Sequence, residues 1–279
     1  MKKNIMAHQF IQRHLAQLRC PFCEQPFTTV EAATLKCPNQ HSFNISKKGS
    51  LFFLRAPVTT EYDTDMLQHR RTVIHHGLFA PVIEQLSQQL YGQMVIDAGC
   101  GEGSQIKAIA AQHSGHYFAF DISKPAIELA TSGTDSRQDC LFFVGDLAHM
   151  PFADHQFSDV INFLSPANYQ EFQRVLQKHG QILKIMPNAR YLQELRQLVY
   201  PTGPNAIYDP APVQNHFKAQ YPQANFQKIE YQWPVPAAMR PHLFAMTPLT
   251  WVRRHDFNQI QLDQLTTVTV DLTLAIVKL

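Results

Sequence analysis

Apolar and polar positions change rhythm several times along the chain. Ile5, Met6, Phe10, Ile11, Leu15 and Leu18 fall near helical spacing, which predicts a short amphipathic helix made for packing. From Cys20 to about Leu54 the apolar residues follow no long period, and 55–65 read as a linker. Helical spacing returns from Met66 to Tyr91, interrupted near Gly77 and Pro81. Beyond Met94, short apolar runs alternate with helical stretches, the pattern of a parallel sheet covered by helices. Strands are predicted at 94–98, 117–121, 141–145, 158–164 and 181–186, and helices at 103–113, 124–131, 168–178 and 189–200. Phe226 to Trp233 and Thr267 to Val277 alternate like strands with no crossover after the second, so an antiparallel hairpin should close one sheet edge. The Pro- and aromatic-rich stretch Ala237–Asp263 is long enough to form helices over a site.

The aperiodic N-terminal segment carries its own order. Cys20, Cys23, Cys37 and His41 follow the spacing C-x2-C-x13-C-x3-H, with a tight pair at each end. Each pair can sit on one turn, stiffened by Pro21 and Pro38, and aim two ligands inward. Four protein ligands satisfy zinc completely, which predicts a closed structural site. Structural zinc is worth about 10–16 kcal/mol in small finger peptides, more than so short a segment's core supplies.

A second motif follows the apolar run at 94–98: Asp97-Ala98-Gly99-Cys100-Gly101-Glu102-Gly103. The dinucleotide fingerprint wants its third glycine at 104, which is Ser, and no Gly-Lys-Ser/Thr completes a phosphate loop. The form D-x-G-x-G-x-G looks like the cofactor loop of class I S-adenosylmethionine-dependent methyltransferases. That cofactor offers an ammonium, a sulfonium and two ribose hydroxyls, with no phosphate. Asp97, Asp121 and Asp146 stand at the ends of successive predicted strands. They can accept from the ammonium, the ribose hydroxyls and the adenine amino group respectively, with Leu147 beside the last.

Charge changes the picture further. Residues 1–55 hold eight Lys or Arg against two acids, whereas the remainder has sixteen against twenty, although the chain's net charge is only +2. A basic ribbon on an acidic body points to phosphate contacts, with Lys47, Lys48, Arg70 and Arg71 as candidates. Five cysteines cannot all pair and three belong to the metal pattern, so a reducing compartment is expected. The N-terminus lacks the apolar core of a signal peptide and no stretch is long enough to span a membrane, so a soluble cytoplasmic protein is expected.

On the metal ligands, Ser46-Lys47-Lys48-Gly49, Asp97 to Gly103, Asp121-Ile122-Ser123-Lys124, Arg190 to Leu195 and Met246-Thr247-Pro248, the chain resembles the zinc-containing bacterial 23S rRNA guanine-N1 methyltransferases, relatives of the tylosin-resistance enzyme. The resemblance runs from Cys20 almost to the end. It implies a class I methyltransferase, an α/β fold with a seven-stranded, mostly parallel sheet and an antiparallel C-terminal edge, behind a small N-terminal zinc ribbon. The expected division is residues 1–60 for the extension and RNA-recognising ribbon and 61–279 for the catalytic domain. The resemblance adds Phe79, Glu102 and Tyr191 to the cofactor contacts, although the family more often has histidine at the Tyr191 position. It also implies S-adenosylmethionine and zinc as cofactors, a 23S rRNA hairpin as substrate and a homodimer. It leaves macrolide sensitivity and the choice of guanine open.

Guanine N1 carries a proton at neutral pH and lies on the pairing edge, so the target base must be unpaired and deprotonated. After the fourth strand, Asn162 or Asn168 can bond the guanine edge, while Phe163 and Tyr169 can stack on it or simply pack. No acidic residue stands in 162–169, and no general base is assigned. Two other classes fit the motifs: a methyltransferase for a small metabolite with zinc as a stabiliser, and an inactive module retained for binding.

Overall fold

The computed structural model describes every residue except Met1, Ala32, 133–138 and 254–258. The N-terminal part contains helix α1 (Lys3–Arg13) and strands β1 (Thr29–Glu31), β2 (Thr34–Lys36), β3 (Ser42–Asn44) and β4 (Leu51–Phe52). Helices α2 (Thr64–His75) and α3 (Ala80–Gln89) then lead to the alternating region. That region runs β5 (Met94–Ala98), α4 (Ser104–Ala110), β6 (His116–Asp121), α5 (Lys124–Ala130), β7 (Cys140–Val144), β8 (Phe157–Phe163), α6 (Tyr169–Val175), β9 (Leu176–Pro187) and α7 (Gln193–Val199). The chain finishes with α8 (Ala211–Gln220), β10 (Asn225–Pro234), α9 (Arg240–Ala245), α10 (Gln259–Asp263) and β11 (Thr267–Lys278). Two compact bodies result: Met1–Tyr62 with Ile83–Leu183 and Lys278–Leu279, and Asp63–Val82 with Lys184–Val277.

In the first body the strand order is β9-β8-β5-β6-β7-β4. The β8-β5, β5-β6, β6-β7 and β7-β4 pairs are parallel. Strands β5 to β8 are fully or almost fully buried, which is why they read as continuous apolar runs. The second body has the order β10-β11-β9, with β10 and β11 antiparallel from Asn225↔Ile276 to Pro234↔Thr267. Strands β5 to β11 are the seven expected of a class I methyltransferase, mostly parallel with an antiparallel edge. An eighth, β4, comes from the N-terminal ribbon.

The ribbon is clamped to its body at both ends. At its start, Leu18 bridges Phe152, Arg19 N–H donates to Pro151 O at 3.0 Å, and the Arg19 guanidinium donates to Asp154 at 3.2 Å. At its end, Leu51 and Phe52 pair with Phe143 and Val144, and Phe53 N–H continues the ladder to Val144 O at 2.8 Å. A file of rings runs between: Phe22 touches Phe43, Phe43 touches Phe53, and Phe53 meets Phe143 edge-on at 5.3 Å. Helix α1 buttresses this joint. Phe10 packs edge-on against Phe118, and a Cβ at Gly49 (φ +83°) would lie 2.9 Å from Lys3 O. The N-terminal extension is therefore a packing element, as its periodicity predicts.

The structure departs from the sequence reading in several elements. Strand β9 starts at Leu176, earlier than predicted, directly after α6, and its polar residues Gln177, Lys178 and His179 are exposed. Helix α6 consequently stops at Val175. Helix α7 begins only at Gln193, after Leu192 takes a left-handed φ of 53°. Part of the predicted 237–263 cap lies outside the described residues; around it are α9, α10 and short 3-10 turns.

Phe53 is 2% exposed and contacts rings on both sides of the joint. Phe53→Ala should cost about 3–5 kcal/mol of stability in urea unfolding, the range for a buried phenylalanine. A loss below about 1 kcal/mol would show that the ring file does not couple ribbon and sheet.

Candidate functional site

The two knuckles turn back on themselves through residues with left-handed backbones. Glu24 (φ 61°) follows the first and Gln40 (φ 61°) lies within the second. Cys20 N–H donates to Gln25 O at 2.9 Å, and Cys37 N–H to His41 O at 3.2 Å. The result brings the donor atoms of Cys20, Cys23, Cys37 and His41 within 4.8 Å of one another. His41 Nδ1 lies 3.5 Å from both Cys20 Sγ and Cys37 Sγ, and Cys23 Sγ lies 3.6 Å from Cys37 Sγ. A tetrahedron with Zn–S of about 2.3 Å and Zn–N of about 2.0–2.1 Å has edges near these lengths. Phe22 meets the His41 ring edge-on and carries the Arg55 guanidinium on its own face at 4.7 Å. The residues fit a closed zinc centre.

At the other motif, each glycine has a distinct geometric duty. Gly99, Gly101 and Gly103 all have positive φ, at 84°, 55° and 81°. A Cβ on Gly99 would fall 1.9 Å from Ser165 Oγ, so this glycine lets β5 approach the segment after β8. A Cβ on Gly103 would press on Phe142 and Ala130, so this one admits α4 to the sheet. Gly101 meets nothing within 4 Å: its bare face looks onto open space.

The three aspartates end adjacent parallel strands, where α/β sheets bind ligands. Strands β6 and β8 flank β5 on opposite sides, so the strand order reverses at Asp97. Asp97 is 2% exposed and, among the described residues, its Oδ1 has no hydrogen-bond partner. Burial, with Asp121 adding repulsion, pushes its carboxyl up to about 8. Asp121 accepts from Gly101 N–H and Ser123 N–H, both at 2.9 Å, one on each oxygen. Asp146 accepts from Ala148 N–H at 2.9 Å and, with Leu147, is half-buried past the end of β7. A buried carboxyl with one unbonded oxygen suits a ligand bearing an ammonium, which fits S-adenosylmethionine. Glu102, 1% exposed, is turned inward: its carboxylate accepts from the Ser104 hydroxyl at 2.7 Å and steadies the start of α4.

The end of β8 and the segment after it correct one expectation. Asn162 is fully buried and its amide donates to Ala98 O at 2.8 Å and Pro166 O at 2.9 Å. Both amide hydrogens are spent on Ala98 and Pro166 and the side chain is fully buried, so Asn162 does not reach a guanine edge. Asn168 caps α6, accepting from Glu171 N–H at 3.2 Å. Phe163 and Tyr169 are 5% and 8% exposed, and Tyr169 packs edge-on against Phe172. Leu164, at φ 50°, is the strained position. Sequence reasoning overlooked it, because a left-handed leucine leaves no compositional trace.

Phe79 and Tyr191 belong to the second body. Phe79 is buried at the turn before α3, next to Leu78, whose carbonyl accepts from the Tyr231 hydroxyl at 2.6 Å. Burial pushes the Tyr191 hydroxyl up to about 12, opposed by the nearby Arg70 guanidinium, and burial likewise raises Tyr231, with Tyr191 adding to it. The second body thus gathers Tyr191, Tyr231 and Arg70 near the turn that carries Phe79.

Comparison with known proteins agrees with both halves. Residues 18–59 match the family model described as "RlmA, N-terminal", and residues 95–185 match a methyltransferase domain. A Bacillus subtilis protein named "Putative 23S rRNA (guanine-N(1)-)-methyltransferase YxjB" is 31% identical over 85% of this chain and 87% of its own length. The Streptomyces fradiae 23S rRNA (guanine(748)-N(1))-methyltransferase is 28% identical over 70% of this chain and 69% of its own. Among solved structures, the YcgJ protein from Bacillus subtilis superposes with a TM-score of 0.42 at 19% identity, covering 72% of this chain and 97% of that one.

The unbonded Asp97 oxygen makes cofactor binding depend on pH. A carboxyl held near 8 must lose its proton to face an ammonium, so S-adenosylmethionine affinity should rise as pH increases toward about 8, at most tenfold per unit, and fall above it as the cofactor's own amino group loses its proton. Asp97→Asn should abolish that slope and weaken binding about ten- to a hundredfold, the loss of a charged hydrogen bond. The cofactor-free protein should lose stability as pH rises from 3.8 toward about 8, because folding opposes ionisation, and Asp97→Asn should lack this loss. Calorimetry and urea unfolding across pH 6–9 check both expectations.

Proposed function

Because the chain belongs to the 23S rRNA (guanine-N1)-methyltransferase family, we propose that it methylates N1 of a guanine in a hairpin loop of 23S rRNA. The single observation that carries this reading is the union in one body of a Cys3His zinc ribbon and a cofactor loop with an unbonded buried aspartate. A small-metabolite enzyme has no need of the basic ribbon, and an inactive module has no need of a costly unpaired carboxylate. Residues 1–60 then serve recognition and 61–279 catalysis.

In this reading Asp97 takes the cofactor's ammonium and Asp121 the ribose hydroxyls, while Gly99, Gly101 and Gly103 give the backbone room. Asp146 and Leu147 border the adenine. Phe79, Glu102 and Tyr191 complete the set that the resemblance carries over. S-adenosylmethionine, when bound, supplies an activated methyl group, so the protein needs no nucleophile of its own. The chain's residues supply alignment and an unpaired guanine whose N1 proton has left. Asn162 fixes the loop at the switch point and Leu164 gives it a strained backbone, the arrangement from which a splayed base is met. Among the described residues no helix is long and apolar enough to cross a membrane, and a cytoplasmic location follows from an rRNA substrate. The homodimer implied by the resemblance would set two ribbons around one hairpin.

N1 methylation blocks base pairing and stops reverse transcriptase. Primer extension on 23S rRNA should show a stop that disappears in a strain lacking the gene. The stop should return with a wild-type copy and stay absent with Asp97→Asn. A stop that persists unchanged in the deletion strain would sink the reading.

A further inference from the structure

The ribbon and the methyltransferase sheet enclose a cavity of about 340 Å³ that neither motif uses. Its rim carries Lys47 and Lys48 from the turn before β4, Lys124 and Glu128 from α5, and the hydroxyls of Ser46 and Ser50. We propose that this cavity is a phosphate-binding subsite that holds the backbone of the RNA substrate at the ribbon–sheet joint. The inference deepens the proposed function and rests on it for the identity of the polyanion.

The turn is built before any ligand arrives. Ser46 N–H donates to Ser50 O at 2.8 Å, the two hydroxyls lie 2.8 Å apart, and Ser50 N–H donates to Ser46 Oγ at 3.0 Å. Gly49 supplies the left-handed step, and its missing side chain lets the turn rest on the Lys3 carbonyl of α1. Lys47 and Lys48 therefore project, exposed, from a loop whose backbone is already fixed, which lowers the ordering cost of binding. On the same cavity, Lys124 is paired with Glu128 at 3.7 Å, with both side chains about half exposed. Exposed pairs of this kind contribute little and exchange readily for a stronger anion.

Charge and shape select the ligand class. Three lysines and one glutamate concentrate at this cavity a formal charge equal to the whole chain's +2. Lysine presents a compact charge with rotatable donors, which suits phosphate oxygens without reading sequence. Several cations spread around an open rim match a run of phosphodiesters better than one isolated ion. The location also serves the reaction. The α5 helix starts just after Asp121 and Ser123, and Val144 of the cavity wall precedes Asp146, so the subsite borders the strands whose ends hold the proposed cofactor residues.

Phosphate contacts are read through salt. Equilibrium binding of a 23S hairpin transcript and of polyuridylate of the same length should be measured from 50 to 300 mM KCl. The Lys47→Ala/Lys48→Ala/Lys124→Ala triple variant should weaken both RNAs alike and lower the magnitude of the log-log salt slope by about 2, near 0.7 per lost contact on single strands. Glu128→Gln removes the one negative rim charge and should tighten both, a gain that damage to the fold would not produce. Calorimetric S-adenosylmethionine binding should stay unchanged in every variant and certifies the fold. An unchanged slope in the triple variant, or weakening by Glu128→Gln, overturns the subsite. If the slope falls on both RNAs while the wild type leaves the hairpin unmethylated, the subsite stands and the guanine reading fails. If the hairpin is methylated and the slope is unchanged, the reverse holds.

Discussion

A two-residue strand fixes how this protein can work. Leu51 and Phe52 pair in parallel with Phe143 and Val144, so the ribbon becomes the outer edge of the sheet that carries the cofactor loop. So short a ladder would not hold by its own hydrogen bonds. It is stabilised from both directions, by the bridge and ion contacts of Leu18 and Arg19 at the ribbon's start and by the ring file from Phe22 to Phe143. The zinc ligands close the ribbon, the rings transmit that closure to the sheet, and α1 seals the joint. The ribbon and strands β5 to β8 consequently form one body.

Within that body the site is organised by what is left unsatisfied. Buried polar groups normally find partners: Glu102 and Asn162 each do, as does the half-buried Asp121. Among the described residues Asp97 Oδ1 does not, and burial, with Asp121 adding repulsion, displaces its carboxyl toward neutrality. The glycines around it follow from the same geometry. Gly99 brings the loop after β8 close, Gly103 brings α4 close, and Gly101 leaves the gap that a ligand can fill.

The parts legible in the sequence were those in which chemistry fixes spacing. Zinc demands ligand pairs on tight turns, so C-x2-C-x13-C-x3-H named the four residues that the fold gathers. Parallel strands buried on both faces are apolar throughout, so β5 matches its predicted range and β6 to β8 nearly match theirs. Legibility failed where tertiary context decides. Leu51-Phe52 is too short to show a period, and it becomes a strand only because the β7 edge is there to receive it. The polar start of β9 fell in the helix predicted over 168–178, and α8 was not predicted although Asp209-Pro210 opens it and Asp209 accepts from Ala211 N–H at 2.9 Å. Asn162 looked like a base reader because its residue type suits one, yet burial between Ala98 and Pro166 assigns it to the loop. Phe79 and Tyr191 came from family resemblance alone, and no local pattern marks either.

The central claim is that one polypeptide joins a zinc ribbon to a cofactor site in order to methylate an RNA base at N1. The most direct measurement incubates the purified zinc-loaded protein with labelled S-adenosylmethionine and a 23S hairpin transcript, then digests the RNA and identifies its modified nucleoside by mass spectrometry. The expected product is 1-methylguanosine from the hairpin loop. Label on another atom or another base, or no transfer by protein that binds both zinc and the cofactor, would contradict it.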